Sequence, residues 1–155
     1  MSAVQQTAAI ALGSNLGDRE ANLHAAIEHL RSLGAVEKIS SFHNTAPVGY
    51  LDQPQFLNAA ILLKTELPAI ELMHALLAIE KKMGRDRVTA IPKGPRLIDL
   101  DLLLYGEHIL NTKDLILPHP AMHERAFVLA PLAEIAAGMR HPVKNTTVRK
   151  LLEEQ

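Results

Sequence analysis

Nine residues, Arg96–Leu104 (RLIDLDLLL), limit most tightly what this chain can fold into. Along a strand, successive side chains point to opposite faces. Ile98, Leu100, Leu102 and Leu104 would then form an apolar face toward the core, while Asp99 and Asp101 project side by side from the other, flanked by Leu97 and Leu103. Two carboxylates roughly 6 Å apart repel by about 2–3 kcal/mol at an effective dielectric of about 20, and Asp is a poor strand residue. A divalent cation turns that repulsion into attraction, and Mg²⁺ takes one or two protein carboxylates and fills its shell with substrate phosphates. A solvent-facing edge with two charges is the plainer alternative for an isolated D-x-D.

The rest of the chain supplies the sheet that such a strand needs. Thr7–Leu12 reads as a buried strand closed by Gly13-Ser14-Asn15, and Asp18–Leu33 as a helix with Leu23, Ala26, Ile27 and Leu30 on one face. Val36–Phe42 is a strand, and Asn44–Pro54 a loop broken by Pro47, Gly49 and Pro54. Leu57–Leu67 is a second buried strand, and Pro68 fits the first turn of a helix that turns Leu72, Leu76 and Ile79 inward as far as about Met83. Gly84–Arg96 is a basic loop and Leu97–Tyr105 the strand of the aspartates. His108–Leu117 has room for one or two short strands, Pro118–Pro120 is rigid, a helix runs from about Glu124 to Ala137, and the tail from Thr147 is a short helix. Two helices against one mostly antiparallel sheet make the fold class α+β, with the ferredoxin-like split βαβ as the simplest topology. No repeat or linker interrupts residues 1–155, which are expected to form a single domain.

Composition narrows the function classes. The 155 residues are 48% hydrophobic and 21% charged, ordinary for a soluble globular chain. Aromatics are only 3%, so the core is aliphatic. A formal charge of −1 gives no bulk attraction to nucleic acid or membrane. The chain has no cysteine, which excludes disulfides and thiolate chemistry, and it shows neither a signal peptide nor an apolar run of membrane-spanning length. A cytoplasmic enzyme or binding module fits, with monomer as the default.

Against that near-neutral background, Lys81, Lys82, Arg85, Arg87, Lys93 and Arg96 crowd the approach to the aspartates, opposed only by Asp86. Guanidinium groups beside a metal-binding pair suit a metal–polyphosphate complex; a solvated basic loop is the alternative. Two prolines clamp His119 in Leu117-Pro118-His119-Pro120, with His123 and Arg125 beyond. His119 and His123 have the spacing of a zinc pair, but Pro120 lies between them and no H-E-x-x-H exists, so a histidine beside phosphate or ribose is the better reading. Asn58 lies in an apolar strand, where its amide must be satisfied by the adjacent loop or by a flat heterocycle with an amide-like edge. Neither G-x-x-x-x-G-K-[ST] nor G-x-G-x-x-G occurs, which leaves nucleotide binding to side chains and metal.

Taken together, Ile10–Asp18, Asp52-Gln53-Pro54 with Phe56–Ala59, Gly84-Arg85, Gly94-Pro95-Arg96 with Asp99-Leu100-Asp101, and Pro118-His119-Pro120 with Arg125 and Phe127 resemble the 6-hydroxymethyl-7,8-dihydropterin pyrophosphokinase family. The resemblance runs from Ala9 to about Ala137 and implies a ferredoxin-like α/β sandwich. It also implies transfer of the β,γ-diphosphate of ATP, as co-substrate, to the pterin hydroxymethyl group, with release of AMP. By position, Asp99 and Asp101 would hold two Mg²⁺ ions, one linking the α- and β-phosphates and the other β and γ. Arg85 and Arg96 would stabilise phosphate charge with help from Arg87. His119 and Arg125 would contact ribose and phosphates, and Glu80 and Leu102 would lie near the nucleoside. Gly13, the Thr45, Ala46, Pro47 and Val48 backbone, Phe56, Asn58 and Phe127 would form the pterin site. The chain departs from the family pattern at Asp114, where some members carry a basic residue, and between Val88 and Lys93, where some carry a Trp lid. The loops at Asn44–Pro54 and Gly84–Arg96 are expected to close over the site and exclude water. A ligand-binding regulatory module would leave the aspartates beside an arginine cluster unexplained, and a metal-dependent phosphohydrolase would leave the flat-ligand site unexplained.

Overall fold

A computed structural model of the chain describes residues 4–46, 52–84 and 96–155. Its first half runs β1 (Gln6–Ser14), α1 (Arg19–Leu30), β2 (Ala35–Ile39), β3 (His43–Thr45), β4 (Phe56–Thr65), α2 (Ala69–Lys82) and β5 (Asp99–Tyr105). The main sheet has the order β2-β4-β1-β5, with β3 also paired to β4, and every pairing is antiparallel. This is the ferredoxin-like arrangement the element order implies. Beyond it come β6 (Leu110–Asn111), β7 (Ile116–Leu117), a short 3-10 turn at Met122–Glu124, α3 (Ala126–Ala136), β8 (Arg140–His141), β9 (Thr146–Thr147) and α4 (Val148–Glu153). No described helix is long and apolar enough to cross a membrane.

The sheet is covered on both faces. On one, Ile10, Leu12, Ile61, Leu63, Leu100 and Leu102 pack against Leu23 and Leu30 of α1 and Leu72 and Leu76 of α2. On the other, Ala9, Ala60, Leu103 and Leu104 meet Leu129 and Leu132 of α3 and Val148 and Leu151 of α4. The alanines leave room for the larger side chains of α3. The C-terminal part, where a helix from about Glu124 to Ala137 and a short tail helix are expected, is therefore a second helical layer on the other face of the sheet.

Three local departures from simple periodicity have visible causes. The expected strand Val36–Phe42 stops at Ile39, where the buried Ser40 takes the Ala60 N–H on its Oγ at 2.8 Å and gives its own N–H to the Ala60 carbonyl, and the unexpected β3 follows at His43–Thr45, at the start of the expected loop. Leu104 does not share a face with Leu100 and Leu102. Ala9 pairs with Leu104 but Ile10 with Leu102, so Leu103 is an extra residue, and this bulge turns Leu103 and Leu104 together toward α3. Tyr105 then returns to the first core, where its hydroxyl donates to the Leu67 carbonyl at 2.6 Å. Pro68 caps α2 instead of entering its first turn, and the Asp18 side chain caps α1 by accepting the Ala21 N–H at 3.1 Å.

Candidate active site

The register of the sheet lines up the polar groups. Gly13 on β1 pairs with Asn58 on β4 and with Asp99 on β5, so these three form one row across the sheet. One step along, Ala11 pairs with Ala60 and with Asp101. Alternation along β5 puts both aspartates on the α3 face while Leu100 and Leu102 fill the opposite core. Small residues at 11 and 13 leave an open floor between the carboxylates and Asn58. At Gly13 the opening is strict: a Cβ would stand 2.8 Å from Asn58 Oδ1.

That floor is the base of a hollow of about 300 Å³. Its walls are Thr45, Ala46 and Phe56 on one side, Arg96, Asp99 and Asp101 on the second, and His119, Arg125, Phe127 and Val128 on the third. Asn58 Nδ2 donates to the Thr45 hydroxyl, which fixes the amide's orientation. The guanidinium carbon of Arg96 lies 5.8 Å from the Phe56 ring centre and that of Arg125 lies 5.7 Å from the Phe127 ring centre. Arg96 also reaches Asp99 at 3.1 Å, both side chains being about four-fifths buried. The aspartate pair is thus partly balanced within the chain, and the hollow beside it still has room for a ligand.

His119 is oriented by its backbone and its ring. Its N–H donates to the Leu103 carbonyl at 2.9 Å, and Nδ1 accepts the Ala121 N–H at 3.1 Å. Because Nδ1 is an acceptor, the proton of the neutral ring sits on Nε2. Burial, and then the charge of Arg125, push the His119 pKa below its ordinary value, with Asp99 opposing more weakly. At neutral pH the ring is uncharged and offers one N–H donor.

A second hollow of about 340 Å³ adjoins the first and shares Asp101 and His119 with it. Its walls are mostly apolar: Met73, Leu76 and Leu77 of α2, Leu100 and Leu102 at the edge of β5, and Leu115 and Ile116. Leu102 therefore borders this hollow and not the first. Glu80 borders neither; it is 1% exposed and its carboxylate accepts the Leu100 N–H at 2.7 Å. Pro47, Val48, Arg85 and Arg87 lie outside the described residues, as do most of the two loops expected to close over the site.

Several residues here were given no site role from sequence. Ala11, Leu12 and Val128 line the first hollow. Asn15, 1% exposed, joins three segments: Nδ2 donates to Gln53 Oε1 at 2.7 Å and to the Pro54 carbonyl at 3.1 Å, and Oδ1 accepts the Arg96 N–H at 2.8 Å. His123, the other member of the possible zinc pair, lies away from the hollow, edge-on to His141 with ring centres 5.9 Å apart. Among the described residues no three His, Cys, Asp or Glu side chains gather as a metal site. The donor set in the hollow fits a hard cation that needs only two carboxylates from the protein and takes phosphate oxygens for the rest.

Comparison with known proteins gives this arrangement its context. The sequence pattern of a family described as 7,8-dihydro-6-hydroxymethylpterin-pyrophosphokinase matches residues 9–137. A 2-amino-4-hydroxy-6-hydroxymethyldihydropteridine pyrophosphokinase of Bacillus subtilis is 51% identical over 128 residues, covering 81% of this chain and 75% of that protein. The protein of the same name from Haemophilus influenzae is 42% identical over 138 residues, covering 88% of this chain and 85% of that one. A folic acid synthesis protein of Pneumocystis carinii is 42% identical over 146 residues, which make up 94% of this chain and only 20% of that longer protein. Among solved structures, wild-type HPPK-DHPS of Plasmodium falciparum superposes with a TM-score of 0.76 at 14% identity, covering 99% of this chain and 45% of that one. At that identity the likeness is one of fold. The chain belongs to the 7,8-dihydro-6-hydroxymethylpterin-pyrophosphokinase family.

Proposed function

We propose that the first hollow is where this chain performs its family's reaction: transfer of the β,γ-diphosphate of ATP to the hydroxymethyl group of 6-hydroxymethyl-7,8-dihydropterin, with release of AMP, in folate synthesis. One observation carries the reading. Asp99 and Asp101 project from a single sheet face into a cavity walled by Arg96, Arg125, His119 and Phe127, with Asn58 across the floor.

Each part has work suited to it. Asn58, held by Thr45, meets the polar edge of the pterin, and Phe127 offers its stacking face, with Phe56 beside it. Asp99 and Asp101 would hold two Mg²⁺ ions, which when bound would neutralise phosphate charge and acidify the attacking hydroxyl. Arg96 and Arg125 add guanidinium charge where negative charge spreads over the phosphoryl oxygens. The Nε2–H of His119 donates to ribose or phosphate, and the apolar second hollow, bordered by Leu102, takes the nucleoside. The hydroxymethyl oxygen attacks the β-phosphorus in line. As the new O–P bond forms, the bond from the β-phosphorus to the oxygen shared with the α-phosphate breaks, the hydroxyl proton passes to solvent, and AMP leaves. Holding the two reactants in register is the main contribution of the chain's own residues. Arg85, Arg87, Pro47 and Val48 are assigned to the same site on family resemblance. We further propose that residues 1–155 act as one domain, as a cytoplasmic monomer.

Incubation with ATP, Mg²⁺ and the reduced pterin tests the reading. AMP that appears only when the pterin is present is the expected result. ADP or phosphate released without pterin would indicate a hydrolase, and no turnover would indicate a binding module; either contradicts the proposal.

A further inference from the structure

Glu80, expected near the nucleoside, is a buried carboxylate that borders neither hollow and has no part in the mechanism proposed above. It sits on the inward face of α2, four residues after Leu76, and is 1% exposed. Its Oε2 accepts the Leu100 N–H at 2.7 Å. Leu100 is the residue between Asp99 and Asp101, and among the described residues β5 is the edge strand of the main sheet, paired on one side, to β1. Edge strands hold their shape less firmly than central ones because one row of backbone groups has no neighbouring strand. Here that row is anchored, at the peptide between the two aspartates, by a side chain from the helix beneath.

A carboxylate is a poor choice for that position if stability alone matters. Burying it removes its hydration, and an apolar residue of similar size is commonly as stable or more so. What the carboxylate provides is a strong acceptor on a rigid helix, with Oε2 directed at the Leu100 N–H. Fixing that N–H fixes the peptide plane at residue 100, and with it the directions in which the side chains at 99 and 101 leave the strand. Active groups held to within a fraction of an ångström are worth large factors in rate.

We propose that Glu80 is a positioning residue for the reaction: by holding the Leu100 amide from below, it sets the spacing and direction of the Asp99–Asp101 pair. It acts through the strand and touches neither substrate. The inference rests on the assignment of that pair to the metal–nucleotide complex given above.

The test compares Glu80→Leu, Glu80→Asp and Glu80→Gln with wild type, and uses Asp101→Asn as a control. Three quantities are read: kcat with KM for the pterin, Mn²⁺ affinity in the presence of a non-hydrolysable ATP analogue by calorimetry, and the melting temperature. Glu80→Leu removes the acceptor and Glu80→Asp draws it back by one methylene. Both are expected to lower kcat by roughly 30-fold or more and to weaken Mn²⁺ binding by about tenfold, while KM for the pterin stays within about twofold. Glu80→Gln keeps an acceptor at the same reach and is expected to recover most of both. The split between metal and pterin readouts is what a merely structural role would not produce. Wild-type Mn²⁺ affinity and kcat in folded Glu80→Leu would overturn the inference. Equal losses of pterin and Mn²⁺ binding that track the fall in melting temperature would also overturn it. If Glu80→Leu does not fold, Glu80→Asp decides on the same criteria. Should Asp101→Asn bind Mn²⁺ like wild type, the fault lies in the assignment of the aspartates, not in the role of Glu80.

Discussion

Asn58 has its amide nitrogen committed to the Thr45 hydroxyl, and its carbonyl oxygen lies over Gly13, where no side chain intrudes. Replacing Asn58 with Ala removes the polar group that would read the pterin edge and leaves the Thr45 hydroxyl without its donor. Pterin affinity, measured by calorimetry, is expected to fall roughly 10- to 100-fold, the equivalent of one or two hydrogen bonds, while nucleotide affinity holds. Unchanged pterin binding in a folded Asn58→Ala protein would remove it from the site. At this scale the sequence was readable where the governing rule is local. Asp99 and Asp101 share a face because they are two apart on a strand, and that needs no knowledge of the rest of the fold. Asn15, though part of the Ile10–Asp18 motif, was given no role because its side-chain partners lie 38 and 81 residues away. The burial of Glu80 was within reach of helix periodicity: it follows Leu72 and Leu76 on the inward face. Family resemblance, not periodicity, supplied its expected place near the nucleoside.

Among the elements, the breaks in periodicity escaped the sequence. The helices and the major strands follow from apolar spacing, but nothing in Leu102-Leu103-Leu104 distinguishes the bulged residue from its neighbours, and only the register against Ala9 and Ile10 reveals it. The early end of β2 at Ile39 goes with Ser40 matching Ala60 of β4, which is again a long-range match. One further contact joins elements that bound the hollow. Glu134 on α3 accepts the Ser41 N–H and hydroxyl at 2.8 and 2.9 Å and pairs with His43 at the start of β3. These bonds, the Ser41 N–H foremost, hold the Glu134 pKa below its usual value against a weaker effect of burial. A lowered carboxylate pKa stabilises the folded state above the unfolded value, about 4.3 for Glu, and that contribution is lost as pH falls through the folded value. Glu134→Gln is therefore expected to lower the urea midpoint at pH 7, with the difference from wild type vanishing at strongly acid pH. A difference that persists unchanged into acid would show that the charge of Glu134 has no part in the clamp.

For the molecule as a whole, the antiparallel sheet and its first helical layer were legible from the alternation of strand and helix patterns. The second layer was legible only in part. Thr7–Leu12 reads as apolar without alternation, the mark of a strand covered on both faces, and α3 and α4 supply the second cover. The small β8–β9 hairpin escaped notice because it is two residues per strand, closed by Asn145 in the left-handed conformation. Covering both faces leaves the end of the sheet near Gly13, Asn58 and Asp99 as the place where the α3 layer stands away from the strands, and the hollow opens there. The central claim is that the aspartate pair receives a divalent cation together with a nucleotide in this gap. Crystals grown with a non-hydrolysable ATP analogue and Mn²⁺, with data collected at the manganese absorption edge, address it most directly. The account predicts anomalous density in the hollow within about 2 Å of carboxylate oxygens from both Asp99 and Asp101. Manganese bound to the nucleotide elsewhere, with both carboxylates turned away from it, would contradict the account.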